Sequence, residues 1–447
     1  MIRRFCTISV AAAFLVAIPF TVRAEIPGSD NGGLYGYVKK DDPSFSWKLK
    51  DTQESLQGKV YNIDLVSQTW QGIVWKHRLQ VYQPKGSTLA DTMLLYNTGG
   101  GPGTASQMLA LELARRIGHP IAFLFDIPNQ PIYDKKEDAL IAETFVRFLE
   151  GGGKDESWPL LFPMVKSLVR AMDALQAFSD KEWQRPLKQF VVTGGSKRGW
   201  TSWLTGAADP RVKAIAPLVI DTLNMHPQMK HQLEMFGKPS EMIHDYVERK
   251  LVPAPDTPEA QRLWKMIDPY FYLDRLTMPK LLVNGGNDPY WTVDALNLYW
   301  NDLKGDKYVL IVPNAGHDLR QLTGGTKDLA NRAVAAISIF AKAQIDGKPL
   351  PKMEWRHADV ENQMRLSITT DTRPAAARLW VIDSETKDFR KSTWKEKETE
   401  ISADGKRVLG FVEPPVNGFR AFYGEVEFDS EGSKYSLSTQ VRVAGGK

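Results

Sequence analysis

The residues best suited to chemistry stand in one short run, Phe190-Val191-Val192-Thr193-Gly194-Gly195-Ser196-Lys197-Arg198-Gly199-Trp200. A β-branched stretch enters two glycines, reaches a serine and leaves in a helical pattern. Such a strand-turn-helix passage holds the serine in a strained backbone conformation that lifts its hydroxyl above the sheet edge as a nucleophile, and the turn needs small neighbours to avoid collision. Gly194 meets that need two residues before Ser196. Two residues after it, where G-x-S-x-G has its second glycine, stands Arg198, and the glycine is displaced to Gly199. The candidate therefore rests on context rather than on the motif. Taken alone, the segment reads equally well as a glycine-rich turn whose serine caps a helix.

Context comes from other strand ends. Asn97-Thr98-Gly99-Gly100-Gly101-Pro102-Gly103 follows an earlier strand where a serine hydrolase needs backbone donors for the oxyanion of its tetrahedral intermediate. Gly100 and Gly101 are expected to supply one half of that hole and the N–H of Lys197 the other. The loop echoes dinucleotide-binding loops, but its spacing does not fit G-x-G-x-x-G and Pro102 removes a donor. A base and its orienting acid should follow the serine in the order acid, then histidine. Asp288 lies in Asn284-Gly285-Gly286-Asn287-Asp288-Pro289, just past one strand, and His317 in Pro313-Asn314-Ala315-Gly316-His317-Asp318, just past the next. His317 would take the serine proton while Asp288 fixes its tautomer. Asp221, at an earlier strand end, is the alternative acid; Asp318 is too close in sequence to His317 to orient it.

Stepping outward, apolar strands alternate with helical stretches between Val60 and Ala341, the pattern of a doubly wound, mostly parallel sheet. The buried strands are expected at 92–97, 121–126, 189–193, 214–220, 280–284 and 308–312, after a leading hairpin of 60–70 and 75–83. Sites in such sheets lie beyond the carboxyl ends of the strands. Residues 158–178 read as a core helix. The insertion at about 224–276, with Met225, Met229, Met235, Met242 and Met266, reads as a helical cap whose methionines either adapt to apolar ligands or pack the cap in place. The hydrolase domain is placed at 25–345. After the turn-rich 346–351, short alternating strands predict a β-sandwich of immunoglobulin-like type over 352–447.

With 447 residues, 43% of them hydrophobic, the chain has the length and apolar content for more than one domain. Arg3 and Arg4, an apolar run over 5–20 and Val22-Arg23-Ala24 predict a signal peptide cleaved after Ala24, leaving no stable membrane anchor. The lone cysteine, Cys6, would leave with it, so the mature chain can form no disulfide and has no thiol nucleophile. Removing Arg3, Arg4 and Arg23 leaves 54 basic against 53 acidic residues, dispersed along the chain, which argues against nucleic acid as a partner. The histidines show no metal-ligand spacing, neither His226 with His231 nor an H-E-x-x-H. No cofactor is expected. The 13 tryptophans are better explained by packing than by carbohydrate stacking.

Asp42-Pro43-Ser44-Phe45-Ser46-Trp47, Ser67-Gln68-Thr69-Trp70, Trp75-Lys76-His77, the Gly99 to Gly103 loop and Gly195-Ser196-Lys197-Arg198-Gly199-Trp200 together resemble the PhoPQ-activated pathogenicity-related family. That resemblance implies an exported, periplasmic or secreted protein of the α/β-hydrolase superfamily. The basic residue after Ser196 is also similar to the elbow of glucuronoyl esterases, which implies electrostatic help from Lys197 at the oxyanion. Two functions are expected to compete. The first is a serine hydrolase cleaving an ester, amide or peptide bond of a small molecule or peptide through an acyl-enzyme. The second is a catalytically inactive secreted binding or signalling protein, favoured by the bulk of Arg198 beside the elbow.

Overall fold

The computed structural model describes residues 33–323 and 325–445, so the segment read as a signal peptide lies outside the described residues. Nine strands form the central sheet: β1 (Ser46–Ser55), β2 (Gly58–Trp70), β3 (Ile73–Pro84), β4 (Thr92–Asn97), β5 (Ile121–Leu124), β6 (Gln189–Gly195), β7 (Val212–Leu218), β8 (Lys280–Gly285) and β9 (Lys307–Val312). Their spatial order is β1-β2-β3-β5-β4-β6-β7-β8-β9. The five pairings from β5 through β9 are parallel, whereas β1, β2 and β3 form an antiparallel meander that joins β5. This is the strand order of an α/β-hydrolase sheet with one strand, β1, added at its edge.

Because successive side chains point to opposite faces of a strand, each apolar run serves two cores at once. Leu95, Val192, Ile215 and Leu282 face one core. Their neighbours Leu94, Val191, Ala214 and Leu281 face the other. The helices are α1 (Gly33–Lys39), α2 (Thr104–Ile117), α3 (Glu137–Glu150), α4 (Leu161–Phe178), α5 (Lys197–Ala208), α6 (Met225–Phe236), α7 (His244–Glu248), α8 (Pro258–Ile267) and α9 (Asn331–Asp346). α4 and α5 cover the first face and α2 and α9 the second. The segments α6, α7 and α8 form the helical cap.

Beyond α9 come two antiparallel sheets. One contains strands Met353–Val360, Gln363–Thr370, Glu400–Ile401 and Arg407–Val412; the other is built on Ala376–Ser384 and Phe419–Ser430. Glycines let them pack closely: a Cβ on Gly424 would stand 2.6 Å from Ile368 Cδ1, and one on Gly410 2.7 Å from Leu379 Cδ1. The sandwich shares a hydrophobic core with α9 and β9. Tyr423 Oη donates to the Ile311 carbonyl at 3.2 Å, and Arg332 pairs with the buried Glu425 at 2.5 Å.

Two expectations need revision. The leading hairpin is a three-stranded meander: the added edge strand β1 alternates only at Trp47 and Leu49, which pack on the core, and is polar and solvent-facing beyond them, too short an apolar signal to mark a strand. The second is α3, which was not anticipated and which carries residues that reach the elbow. The motif residues of the meander are structural. Trp70 and Trp75 pack edge to face at 5.8 Å, Trp70 Nε1 donates to the Ser157 carbonyl at 2.7 Å, and Asp42 accepts the N–H groups of Ser44 and Thr69.

Candidate active site

Ser196 lies between the last residue of β6 and the first of α5, with φ 57° and ψ −124°. That conformation costs a serine on the order of 1–3 kcal/mol and persists only where its surroundings impose it. Here the Ser196 N–H donates to the Leu218 carbonyl at 2.8 Å and its carbonyl accepts the Trp200 N–H at 3.0 Å. Both nearby glycines are required by space. A Cβ on Gly199 would lie 2.7 Å from Ile220 Cγ2 and 2.9 Å from the Gly194 oxygen, so the displaced glycine still does the packing of the turn. A Cβ on Gly194 would lie 2.9 Å from the Cβ of Arg198, the residue that stands in the usual glycine position.

Arg198 neither blocks nor deforms the turn, because its guanidinium is drawn away and fully engaged. Nε donates to the Ile127 carbonyl at 2.6 Å, and Nη1 and Nη2 reach the two oxygens of Glu137, at the start of α3, at 2.6 and 2.7 Å. Burial alone would raise the Glu137 carboxyl; hydrogen bonds and charge from Arg198, with help from Gln130 and Lys197, instead hold it at about 2. Lys197 turns its ammonium to Asp138 at 2.9 Å and Glu137 at 3.3 Å. Asp138 also accepts from Tyr246 at 3.0 Å and Tyr290 at 3.4 Å. The side chain of Lys197 is thus committed to an ion pair, and its N–H, at the first position of α5, is a donor that helix geometry leaves without an i−4 carbonyl.

The loops after β8 and β9 bring Asp288 and His317 together. His317 Nδ1–H donates to Asp288 Oδ2 at 2.8 Å, and Asp288 Oδ1 accepts the Tyr290 N–H at 2.9 Å. The Tyr290 ring packs on the imidazole with centroids 4.3 Å apart. His317 Nε2 is buried and has no hydrogen-bond partner among the described residues. Asp221 is engaged elsewhere, accepting from Tyr299 Oη at 2.5 Å. Burial, with Asp288 and Asp294 adding negative charge nearby, pushes its carboxyl up to about 7 against the opposing Tyr299 hydrogen bond. Between the two acids, the geometry gives His317 to Asp288.

A sequence model of the PhoPQ-activated pathogenicity-related proteins matches residues 34–390, from α1 through the cap and these loops. The chain belongs to that family. A relative in Dictyostelium discoideum, autocrine proliferation repressor protein A, is 30% identical over 92% of this chain and 90% of its own length. Among solved structures, acetyl xylan esterase 1 from Thermoanaerobacterium sp. aligns with a TM-score of 0.45 and 16% identity over 64% of this chain and 86% of that one. The glucuronoyl esterase from Solibacter usitatus aligns with a TM-score of 0.41 and 11% identity over 68% and 87%.

In this family member the Gly99 to Gly103 loop lies beside the elbow, since Asn97 of β4 pairs with Gly194 of β6. Two of its glycines exist for arginines: a Cβ on Gly99 would stand 1.7 Å from Arg198 Nη2, and one on Gly101 1.9 Å from Arg78 Nη2. Gly100 has open space around its Cα, and its carbonyl accepts the Asp126 N–H at 3.2 Å. Gly100 and Gly101 do not line the cavity that opens at Ser196. That cavity has a volume of about 780 Å³ including its open mouth, and runs under the cap past Met225, Met229 and Trp264. Met235 and Met266 are buried in the core and Met242 is partly exposed, so the cap methionines divide between ligand wall and packing. Among the described residues, no group of three or more His, Cys, Asp or Glu side chains is arranged to hold a metal ion, and no helix is long and apolar enough to cross a membrane.

Sequence reading missed the strap that clamps the loops carrying Asp288 and His317. Asn287 Nδ2 donates to the Ser392 carbonyl at 2.9 Å, and Trp394 Nε1 to the Gly286 carbonyl at 3.0 Å. Asn314, three residues before His317, exchanges two hydrogen bonds with the Trp394 backbone at 2.8 and 3.0 Å. Arg390 adds a 3.0 Å bond to Glu241 of the cap and lies 3.9 Å over Phe236. Asn287 and Asn314 beside the two candidate residues were the available signal, since an amide there can brace a loop from outside.

Proposed function

We propose that this protein is an exported serine hydrolase that cleaves an ester, amide or peptide bond through an acyl-enzyme on Ser196. The observation that carries this reading is the strained Ser196 turn at a cavity, in a chain whose loops beyond β8 and β9 hold a hydrogen-bonded His317–Asp288 pair. Ser196 Oγ attacks the carbonyl carbon while its proton passes to His317 Nε2; Asp288 keeps the opposite nitrogen protonated and stabilises the imidazolium. The oxyanion is met by the Lys197 N–H; the Gly100–Gly101 backbone, which lies outside the cavity wall, would have to move to add a second donor. The proton then passes to the leaving group, and water, deprotonated by His317, releases the acid and restores the serine. The partnerless His317 Nε2 is the atom the serine hydroxyl must reach, so the reaction requires the two side chains to be brought together when substrate binds. Export rests on the Arg3-Arg4 and apolar run at the N-terminus.

A second reading, a hydrolase-fold binding or signalling protein, is favoured by that same open hydrogen bond and by the name of the Dictyostelium relative. Intact-mass analysis after fluorophosphonate treatment separates the two. The hydrolase reading expects one adduct on the folded wild type, lost in Ser196→Ala and in His317→Ala. An unlabelled wild type would select the binding protein.

A further inference from the structure

We infer that the cavity beside Ser196 receives an uncharged, apolar acyl group, medium-chain aliphatic or aromatic, and not an acetyl, sugar or charged moiety. This rests on the reading of Ser196 as nucleophile. The wall is carbon and sulfur: Met225 and Met229 of α6, Ile243, Val252, Trp264 of α8 and Trp291. Its polar side chains are turned into the protein. Gln228 Nε2 donates to the Leu223 and Ala295 carbonyls at 3.2 and 2.9 Å. Gln232 donates to the Tyr290 carbonyl at 2.9 Å and accepts the Ser240 N–H at 2.8 Å. The indoles of Trp200 and Trp291 are bonded to the carbonyls of Ile267 and Val219. A sugar, which needs a partner for each hydroxyl it buries, would find in this wall, among the described residues, few side-chain groups not already bonded within the protein, chiefly the hydroxyls of Thr222 and Thr292 and the indole N–H of Trp264.

Charge gives the same answer. The ammonium of Lys197 is the cation of the wall, and Asp138 and Glu137 already neutralise it at 2.9 and 3.3 Å. A substrate carboxylate would have to compete with them, and an ammonium would have to compete with Lys197. An acetyl group, with its single methyl, would leave most of this cavity's apolar wall uncovered. The acyl group is assigned to it because that half of the substrate stays covalently attached after the leaving group departs, and a water-poor pocket protects the intermediate.

The test compares Ser196 labelling rates for ethyl and dodecyl fluorophosphonates, alongside kcat/KM for p-nitrophenyl acetate, butyrate, hexanoate and octanoate. Burying one methylene is worth roughly fourfold in an equilibrium constant, so even partial burial should raise kcat/KM at least about tenfold from acetate to octanoate. Met229→Glu, and the milder Met229→Gln if the first does not fold, should shrink that octanoate-to-acetate ratio by at least about tenfold. Equal labelling by the short and long probes, or a series that falls with length, overturns the apolar acyl pocket while leaving Ser196 as nucleophile. No labelling by either probe overturns the nucleophile itself, and the acyl pocket with it.

Discussion

Replacing Glu137 with glutamine tests whether the elbow's arginine is held by charge. In the folded protein Glu137 titrates near 2 rather than near 4.5, burial opposing and Arg198 overriding. A depression of that size corresponds to at most roughly 3.4 kcal/mol of native-state stabilisation at neutral pH. The Glu137 side chain is 42% exposed, so solvent screening reduces the usable part to about 1–2 kcal/mol. Because the folded pKa is depressed, this stabilisation is complete above about pH 4.5 and disappears as pH falls toward 2. Glu137→Gln, which keeps the shape and removes the charge, should lose about 1–2 kcal/mol in urea denaturation at pH 7, and the gap between variant and wild type should close as pH falls through that window. Every other carboxylate titrates in both proteins and cancels in the difference. A gap that is absent at pH 7, or one that stays constant down to pH 2.5, would show that the Arg198–Glu137 contact is geometric rather than electrostatic.

Trp394→Phe preserves most of the buried ring but leaves the Gly286 carbonyl without its donor, so stability should fall by about 1–3 kcal/mol and fluorophosphonate labelling of Ser196 should slow; labelling at the wild-type rate would show that the strap does not position the acid loop. Asp288→Asn should cut the labelling rate by about two orders of magnitude or more through loss of the imidazole's correct tautomer. Asp221→Asn should largely spare labelling. Since burial raises Asp221 to about 7, its own contribution to stability is lost as pH rises from about 4 to 7, so the thermal stability of Asp221→Asn relative to wild type should increase over that range; a difference that does not change with pH would refute the assignment.

The strands were legible because parallel strands buried on both faces leave continuous apolar runs, as in Met93 to Leu95 and Phe190 to Val192. The strand-end positions of Ser196, Asp288 and His317 were legible too, since each directly follows such a run or sits in the loop beyond it. What could not be read was anything held by side chains from distant segments. Glu137 stands 61 positions from Arg198 and in a helix with no catalytic signature, yet it explains why an arginine is tolerated in the turn. Gly99 and Gly101 invited a ligand-binding reading, whereas arginine guanidinium groups occupy the space a Cβ would need. The strap reaches Asn287 from more than 100 positions away, through backbone carbonyls that carry no residue-type signal.

A second serine–histidine pair in the same chain shows why bond geometry alone does not define the site. Ser67 Oγ lies 2.9 Å from His77 Nε2, and His77 Nδ1–H donates to the Asp126 carbonyl at 3.1 Å, a closer match to a nucleophile and base than Ser196 and His317 provide. Yet Ser67 is fully buried, and burial pushes the His77 imidazole down to about 4, so protonating it on proton transfer would carry a large desolvation cost. Its second nitrogen faces a neutral carbonyl, which offers less stabilisation to an imidazolium than a carboxylate does. Ser67 sits at a bulge of β2 without a positive φ and shares its hydrogen bonding with Ser167 at 3.0 Å. Ser196 and His317 differ on each point: Ser196 has backbone strain and lines a cavity, and His317 has an acid behind it. Access and strain are what favour Ser196 over Ser67 as the proposed nucleophile, and a carboxylate partner is what favours His317 over His77 as the proposed base.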